Sequence, residues 1–354
     1  MIKSTAELKG ISDILAPLGF SLDEQQLHIG GERYLMMKNK MVLTGIRNSD
    51  KLKVVIKVSN HPDGKKEIET EKKSRDTLQS LSFASDTLSM PEEIYYSTQR
   101  GYLIFITRFI SQEKVFVDHD LEDQFFMILR AFEAQEAFHM TTFEHEQSIN
   151  KTFQVWLAKD YLRSFKEISA KIGSKFKETE LAQLLSECFD FIKKNEEIIE
   201  KYSNYLTHTD FVPHNFRISK GMIYMLDGSA VQFGNKHEGW ARLLNYMVIH
   251  NPNLEKLLLK YIEDNFGQEE YLNLKLMRIY KIAFLISYYV QSLSKTEGDL
   301  HKLTMARIDF WFAILKSIIH ESPLDQKILD SYIKERDSLR SEEEKKRQKE
   351  FAKA

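Results

Sequence analysis

Cysteine, glycine and proline are scarce in this sequence, and it contains no long apolar run. The single cysteine, Cys188, cannot form an internal disulfide, so the fold does not depend on an oxidising compartment. Only 14 glycines and 6 prolines among 354 residues argue against long flexible linkers and against a turn-rich, all-β fold. The most apolar later stretch, residues 282–290, is far shorter than the roughly 20 residues that span a bilayer.

An excess of charge of one sign is also missing. The formal net charge is -2, which gives no general attraction to nucleic acid or to an anionic membrane surface. The amino-terminal residues show no apolar run behind a basic start, so we expect no secretory signal and a cytoplasmic protein. The apolar fraction of 42% is sufficient for two modest domains or one two-lobed unit.

The first third of the chain is rich in strand patterns. Short apolar or β-branched runs at residues 34–46 and 51–59 predict two strands separated by a turn. A charged helix follows at residues 65–81. Its buried face is predicted by four side chains that recur every three to four residues: Ile68, Glu71, Arg75 and Leu78. Residues 92–96 and 101–110 predict two more paired strands.

After about residue 110 the pattern becomes helical. Long amphipathic helices are interrupted only by a loop and two short strands within residues 207–234. The sequence therefore predicts an α+β protein with a β-rich part at 1–110, a helical part at 111–322, and a charged helix or tail at 323–354. A charge run of this kind favours a solvated helix or frayed tail, and a partner-binding helix is the alternative.

The segment most informative about chemistry begins at His208. Asp210 and Asn215 lie five residues apart in a proline-containing loop, and Asp227 follows after a predicted hairpin. Because a hairpin returns the chain to its starting point, we expect these three oxygen-bearing side chains to converge. Oxygen ligands suit a hard cation such as Mg²⁺, while a spare carboxylate can orient an attacking hydroxyl group.

These residues resemble a known family. The run HTDFVPHN followed by LD is similar to the HxDxxxxN and IDW-type motifs of the aminoglycoside phosphotransferase and choline kinase family. The resemblance implies transfer of phosphate from ATP, with Mg²⁺, to a hydroxyl group of a small molecule. It further implies that Asp210 is the catalytic aspartate, that Asn215 and Asp227 are the metal ligands, and that His208 braces the catalytic loop.

The same resemblance extends into the β-rich part. The run VVIK is similar to the VAIK-type strand of kinases, so Lys57 is implied to hold the α- and β-phosphates. We expect its partner to be Glu71, which shares the apolar helix face, with Glu67 one turn earlier as the alternative. The run ITRFIS resembles the hinge between lobes, where backbone groups near Arg108, Phe109 and Ile110 would meet adenine. The resemblance covers residues 27–320 and implies a protein kinase-like, two-lobed fold.

Four positions depart from the family pattern. Thr209 stands where glycine is usual, and Gly228 stands where an aromatic residue follows the metal aspartate. The next helix lacks its usual aspartate, for which Glu238 is the candidate substitute. No GxGxxG motif is present, so residues 30–33 or the turn at 37–40 must cover the phosphates with backbone amides.

Other functions are weaker alternatives. The departures also fit a nucleotide-binding protein with little catalysis. A protein kinase is disfavoured because there is no APE-like stretch and the chain enters a helix soon after Asp227. A zinc site built from His208, His214, His139 and His145 fits no common spacing. The acceptor stays open, since aromatic and acidic residues are both abundant.

Overall fold

An antiparallel sheet of five strands forms the amino-terminal lobe. The protein is described here from a computed structural model that covers residues 2–37, 39–80, 89–177, 179–219 and 222–353. The strands are Phe20–Leu22 (β1), Met41–Arg47 (β2), Lys53–Ser59 (β3), Glu93–Gln99 (β4) and Tyr102–Arg108 (β5). Their order is β1-β2-β3-β5-β4. Both predicted hairpins are present, and the predicted α+β, two-lobed fold is confirmed.

One predicted strand boundary is wrong. Residues 34–37 belong to a short helix, Glu32–Met37, and β2 begins only at Met41. The physical reason is that a short apolar run satisfies a buried helix and a buried strand equally well. The connection between β1 and β2 is therefore helical rather than a glycine-rich turn.

Both faces of the sheet are covered. The amino-terminal helix Ile2–Leu15 packs on one face through Ile11 and Leu15, both fully buried. The helix Pro62–Ser80 packs on the other face, where Ile68 contacts Leu103 and Phe105 of β5. The predicted helix face, Ile68, Glu71, Arg75 and Leu78, is buried as expected.

The second lobe is helical and has its own large core. Its helices are Leu121–Thr152, Ala158–Gly173, Glu180–Lys194, Glu196–Lys201, Glu238–His250, Pro252–Phe266, Gln268–Ser292 and Gly298–Ile319. Within the described residues, no helix combines the length and the apolar character that crossing a membrane requires.

The predicted strand excursion contains two small ladders. The first pairs Tyr205–His208 (β6) with Val231–Gly234 (β9). The second pairs Phe216–Ser219 (β7) with Met222–Met225 (β8), which is the predicted hairpin. The hairpin lies in sequence between the two strands of the outer ladder, and its pairing brings the loop before β7 next to the loop after β8.

The charged carboxyl-terminal segment docks on both lobes. It forms the helices Gln326–Leu339 and Glu342–Lys353. Tyr332 lies in the core of the helical lobe, where its ring stacks on Phe310 at 4.1 Å. Glu344 is only 1% exposed and accepts a hydrogen bond from the backbone N–H of Glu32 at 3.0 Å. The sequence predicted a solvated helix or frayed tail and did not predict this docking. The core of the helical lobe also continues past residue 322, since it includes Leu329 and Tyr332.

Candidate active site

The lysine of β3 points out of the sheet toward the helical lobe. Lys57 forms an ion pair with Glu71 of the helix Pro62–Ser80, and both side chains are buried. The same ammonium group donates to the carbonyl oxygen of Leu226 at 2.8 Å. Burial raises the pKa of Glu71, and Lys57 opposes that shift without cancelling it. The structure thus pairs Lys57 with Glu71, as predicted, and brings the pair to the residue before Asp227.

A backbone hydrogen bond joins the loop of Asp210 and Asn215 to the end of the hairpin that follows it. Asn215 immediately precedes β7, and its carbonyl oxygen accepts from the N–H of Leu226 at 2.9 Å, just after β8. The side-chain amide of Asn215 donates to Asp210 Oδ2 at 2.8 Å and to the Asp210 carbonyl oxygen at 2.8 Å. The sequence spacing therefore does bring Asp210 and Asn215 into contact beside the loop that carries Asp227.

Asp227 starts a short 3-10 turn that it caps itself. Its Oδ1 accepts from the Ser229 N–H at 3.2 Å and from the Ser229 hydroxyl at 2.6 Å. Gly228 follows, and a Cβ at that position would lie 3.4 Å from the Glu71 carbonyl oxygen and 3.5 Å from the terminal methyl carbon of Met90. The absence of an aromatic side chain there lets the helix Pro62–Ser80 pack directly against the Asp227 turn.

His208, the last residue of β6, contacts the Asp227 turn. Its Nε2 donates to the carbonyl oxygen of Asp227 at 2.8 Å, and its ring is 3% exposed. Burial lowers its pKa, although Asp227 and Asp210 act in the opposite direction. The ring thus ties the Asp227 turn to β6, which ends directly before the loop of Asp210, and the bracing role that the motif implied stays a prediction. Within the described part of the chain, no three His, Cys, Asp or Glu side chains form a group suited to a metal ion.

Arg242 is a site residue that the motif did not identify. Its Nε donates to Asp210 Oδ1 at 2.7 Å from the helix Glu238–His250. Both oxygens of the Asp210 carboxylate are therefore engaged, one by Arg242 and one by Asn215. The contact arises from tertiary packing across 32 positions of sequence, and no local spacing marks it.

Lys40 is a second residue near Asp227 whose side chain was not among the predicted site residues. It directly precedes β2, at the end of the predicted cover 37–40, of which residue 38 lies outside the described residues; it forms an ion pair with Glu67 and is largely buried. Burial acts to lower its pKa, but Asp227, Glu67 and Glu71 outweigh burial and raise the pKa above the ordinary value. Glu67 is thus the partner of Lys40 rather than of Lys57, and two lysines approach the Asp227 loop.

The turn that carries Lys40 depends on a close approach of backbone to helix. A Cβ on Gly64 would lie 1.9 Å from the Asn39 carbonyl oxygen, so only glycine fits in this first helical turn. The hydroxyl of Ser59 also donates to that carbonyl at 2.5 Å. Together these contacts fix the backbone just before Lys40. The other predicted phosphate cover, residues 30–33, is instead docked on Glu344.

The predicted hinge lies at the end of β5. The N–H of Arg108 donates to the Glu92 carbonyl oxygen at 2.8 Å, and the N–H of Phe109 donates to the Lys53 carbonyl oxygen at 3.0 Å. The Phe109 ring is covered by the ammonium group of Lys53 at 4.6 Å. The first two of the three predicted hinge residues therefore use their N–H groups within the sheet.

Glu238 has a different role from the one suggested by sequence. Its carboxylate pairs with Lys281 at 2.9 Å and accepts from the Tyr161 hydroxyl at 2.7 Å and from Gln232 at 2.9 Å. These are core contacts of the helical lobe. Glu238 therefore stabilises the base of β9 and not the catalytic loop itself.

Solved structures share this architecture at low sequence identity. An aminoglycoside phosphotransferase, a thermostable mutant of APH(4)-Ia in ternary complex with AMP-PNP and hygromycin B, is 14% identical, with a TM-score of 0.58 over 80% of this chain and 90% of that one. The GDP complex of aminoglycoside 2'-phosphotransferase-IIIa is 13% identical, with a TM-score of 0.57 over 77% and 89%. The macrolide 2'-phosphotransferase MphH from Brachybacterium faecium is 12% identical, with a TM-score of 0.56 over 85% and 98%.

Sequence comparisons gave no such match. No family model matches the chain, and no curated protein sequence matches it. The likeness to the solved structures is therefore a likeness of fold. The chain has the protein kinase-like, two-lobed fold of the aminoglycoside and macrolide phosphotransferases, as the resemblance of its motifs predicted.

Proposed function

We propose that this protein transfers the terminal phosphate of ATP to a hydroxyl group of a small molecule, with Mg²⁺. The observation that carries the proposal is the bond from Lys57 to the Leu226 carbonyl oxygen. That bond joins the buried lysine–glutamate pair of the sheet to the loop of Asp227, which Asn215 joins in turn to Asp210. A cation for phosphate, oxygen ligands for a metal and a carboxylate for a hydroxyl group thus share one cleft.

The oxygen donors fit magnesium. Asp227 supplies a carboxylate, and Asn215 turns its amide nitrogen toward Asp210, which leaves its amide oxygen as the available ligand. Mg²⁺ takes few protein ligands and completes its shell with phosphates and water, so one carboxylate and one amide suffice. When bound, the ion would supply charge neutralisation on the transferring phosphate.

Each remaining residue has a proposed task. Lys57, which is positioned by its ion pair with Glu71, binds the α- and β-phosphates. Lys40 contributes a second ammonium group near the Asp227 loop. Asp210 orients the acceptor hydroxyl and accepts its proton. The adenine ring lies against the end of β5, where the Ile110 N–H and the carbonyl oxygens of 108–110 are the proposed partners.

The ligands of the similar structures support the class of reaction. One of those proteins was solved with an ATP analogue and hygromycin B, and another with GDP. In this cleft a nucleotide would occupy the phosphate-binding half, and an acceptor would occupy the half that faces Asp210. We therefore propose a purine nucleotide as the donor and a small hydroxylated molecule as the acceptor.

A depletion assay tests the proposal. The purified protein with Mg²⁺ and ATP is screened against a panel of hydroxylated metabolites and antibiotics, and ATP consumption is measured. Asp210→Asn should reduce turnover of any accepted substrate by about 10²–10⁴-fold, because it removes the proton acceptor. Asp190→Asn, an exposed aspartate on Glu180–Lys194, should have no effect. Full turnover by Asp210→Asn would refute the proposed role.

A second function has one observation in its favour. Arg242 occupies Asp210 Oδ1, as it would in a protein that binds nucleotide with little catalysis. That alternative predicts nucleotide binding without phosphate transfer to any member of the panel. The same screen therefore separates the two.

A further inference from the structure

The chain has no glycine-rich motif, and one of its two predicted phosphate covers is docked on the carboxyl-terminal segment. The N–H of Glu32, within residues 30–33, donates to the Glu344 carboxylate at 3.0 Å. The other predicted cover, residues 37–40, ends at Lys40, directly before β2. The cover that is left for the phosphates of a nucleotide therefore ends in a lysine side chain.

Lys40 and Lys57 lie on the same face of the sheet. Val42 is directly opposite Lys57 in the register of β2 and β3. Because successive side chains of a strand point to opposite faces, Lys40, two residues before Val42, is on the face of Lys57. Diagonal neighbours of this kind are about 7–8 Å apart, which long side chains can span. The two ammonium groups can therefore serve one ligand.

One helix holds both lysines. Lys40 pairs with Glu67, and Lys57 pairs with Glu71, both on the helix Pro62–Ser80. Residues four apart in a helix are neighbours on its surface, with about 5–6 Å between their Cβ atoms. The ion pairs thus hold the two ammonium groups on adjacent turns of one helix face, as the strand register requires.

The two lysines differ in the number of N–H bonds that they have left. An ammonium group has three. Among the described residues, Lys57 donates to Glu71 and to the carbonyl oxygen of Leu226. Lys40 donates to Glu67 alone. Lys57 therefore keeps one N–H bond for a phosphate oxygen, while Lys40 keeps two.

The loop of Asp227 borders this pair of cations. Lys57 reaches the Leu226 carbonyl oxygen at 2.8 Å, and Asp227 is the next residue. Phosphates that share a metal ion with Asp227 would lie between this loop and the ammonium groups of Lys57 and Lys40.

We propose that Lys40 binds the phosphate chain of the donor nucleotide directly, in place of the backbone amides of a glycine-rich loop. The inference rests on the proposed function and adds a residue that binds its nucleotide. Glu67 holds the ammonium group in position before the nucleotide arrives, and phosphate oxygens take the two remaining N–H bonds. The contribution of Lys40 is therefore confined to nucleotides that carry phosphate.

The test measures the binding of AMP-PNP with Mg²⁺, and of adenosine, to the full chain by calorimetry. Lys40→Met should weaken AMP-PNP binding by about 10–100-fold, because charge-assisted hydrogen bonds are lost, and should leave adenosine binding unchanged. Lys40→Arg should restore part of the loss. The control is Lys66→Met, which removes an exposed ammonium group from the helix Pro62–Ser80 and should change neither affinity.

A double variant separates phosphate binding from simple neutralisation of Glu67. Lys40→Met leaves Glu67 without its cation, whereas Lys40→Met combined with Glu67→Gln leaves no unpaired charge. We expect the double variant to bind AMP-PNP as weakly as the single variant does. Recovery of wild-type affinity would overturn the inference, because Lys40 would then act only as the partner of Glu67.

Two further results would also overturn the inference and leave the proposed function standing. One is unchanged AMP-PNP binding by Lys40→Met, and the other is an equal loss of adenosine binding. Should Lys40→Met fail to fold, the double variant is compared with the wild type instead. Failure of the wild type to bind AMP-PNP with Mg²⁺ would refute the proposed function itself, and the role of Lys40 with it.

Discussion

Lys57 and Glu71 form a buried ion pair whose members depend on each other. Both side chains are at most 10% exposed, and burial already raises the pKa of Glu71 while Lys57 is present. Removal of the lysine alone would leave a buried carboxylate without its cation. The pair is therefore a sensitive indicator of whether the small lobe is built around this site.

We predict that Lys57→Met destabilises the protein by about 3–5 kcal/mol, because it breaks a buried ion pair. The double variant Lys57→Met, Glu71→Gln should be more stable than the single variant, since no charge is left unpaired. Urea unfolding of the four proteins of the cycle gives the coupling free energy. Strict additivity would show that the two groups do not interact in the folded protein.

His214 makes the stability of the protein depend on pH. Its pKa in the folded protein is about 4, below the ordinary value of about 6.5, so the unfolded chain binds the proton first as the pH falls. The stabilising contribution is present above pH 6.5 and is lost between pH 6.5 and 4. His208 and His237, whose pKa values burial also lowers, act in the same direction.

His214→Gln should therefore lose less stability than the wild type between pH 7 and 4, by about 1–3 kcal/mol. Urea unfolding at several pH values measures the difference. The control is His61→Gln, which removes an exposed ring. An unchanged pH dependence in the His214 variant would contradict the lowered pKa of His214, to which burial contributes most and Arg347, Arg217 and Arg242 contribute further.

The candidate site residues that the sequence indicated are those with local spacing. Asp210, Asn215 and Asp227 were found because a loop and one hairpin bring them together. Lys57 and Glu71 followed from a strand and the next helix face. Arg242 was missed because its contact with Asp210 spans 32 positions and no local pattern marks it.

At the scale of elements, the helix Glu342–Lys353 ties the carboxyl terminus to the connection between β1 and β2. Glu344 accepts the Glu32 N–H at the start of the helix Glu32–Met37, and it also pairs with Arg347. Burial acts to raise the pKa of Glu344, but Arg347 and its hydrogen bonds outweigh burial and lower it. The ionised carboxylate thus caps a helix in the position where a glycine-rich turn would otherwise cover phosphates.

Glu344→Ala should destabilise the protein by about 1–3 kcal/mol, the range for leaving a buried donor unsatisfied. It should also speed hydrogen exchange at residues 32–37, because their helix loses its cap. Glu343→Ala removes an exposed neighbour in the same helix and is the matched control. Equal exchange in both variants would mean that the docking of this helix does not hold residues 32–37.

The sequence could not have predicted that Glu32 and Glu344 are in contact. Glu32 and Glu344 are 312 positions apart, and the carboxyl-terminal run has the composition of a solvated helix. Most of the other elements were predictable because alternation and helical periodicity are local properties. The helix Glu32–Met37 was mistaken for a strand because six residues are too few for periodicity to decide.

For the whole molecule, the near-neutral net charge does not indicate where individual charges gather. The sequence total of -2 predicts no general attraction for anions. Folding nevertheless brings Arg217 of β7, Arg242 of the helix Glu238–His250 and Arg347 of the carboxyl-terminal segment close enough to His214 to lower its pKa. The fold class could be predicted from strand patterns and motif spacing, although the solved structures that share the fold are only 12–14% identical to this chain. The acceptor side could not, because it is built from contacts between distant segments.

The central claim is that Lys57, Asn215 and Asp227 jointly hold a magnesium–nucleotide complex. A crystal structure with AMP-PNP and Mg²⁺ tests it most directly. The account predicts a metal ion at about 2.0–2.1 Å from a carboxylate oxygen of Asp227 and from the amide oxygen of Asn215. It also predicts that the ammonium group of Lys57 lies at about 2.7–2.9 Å from an α- or β-phosphate oxygen. A nucleotide bound elsewhere, or a metal ion that contacts neither Asp227 nor Asn215, would contradict it.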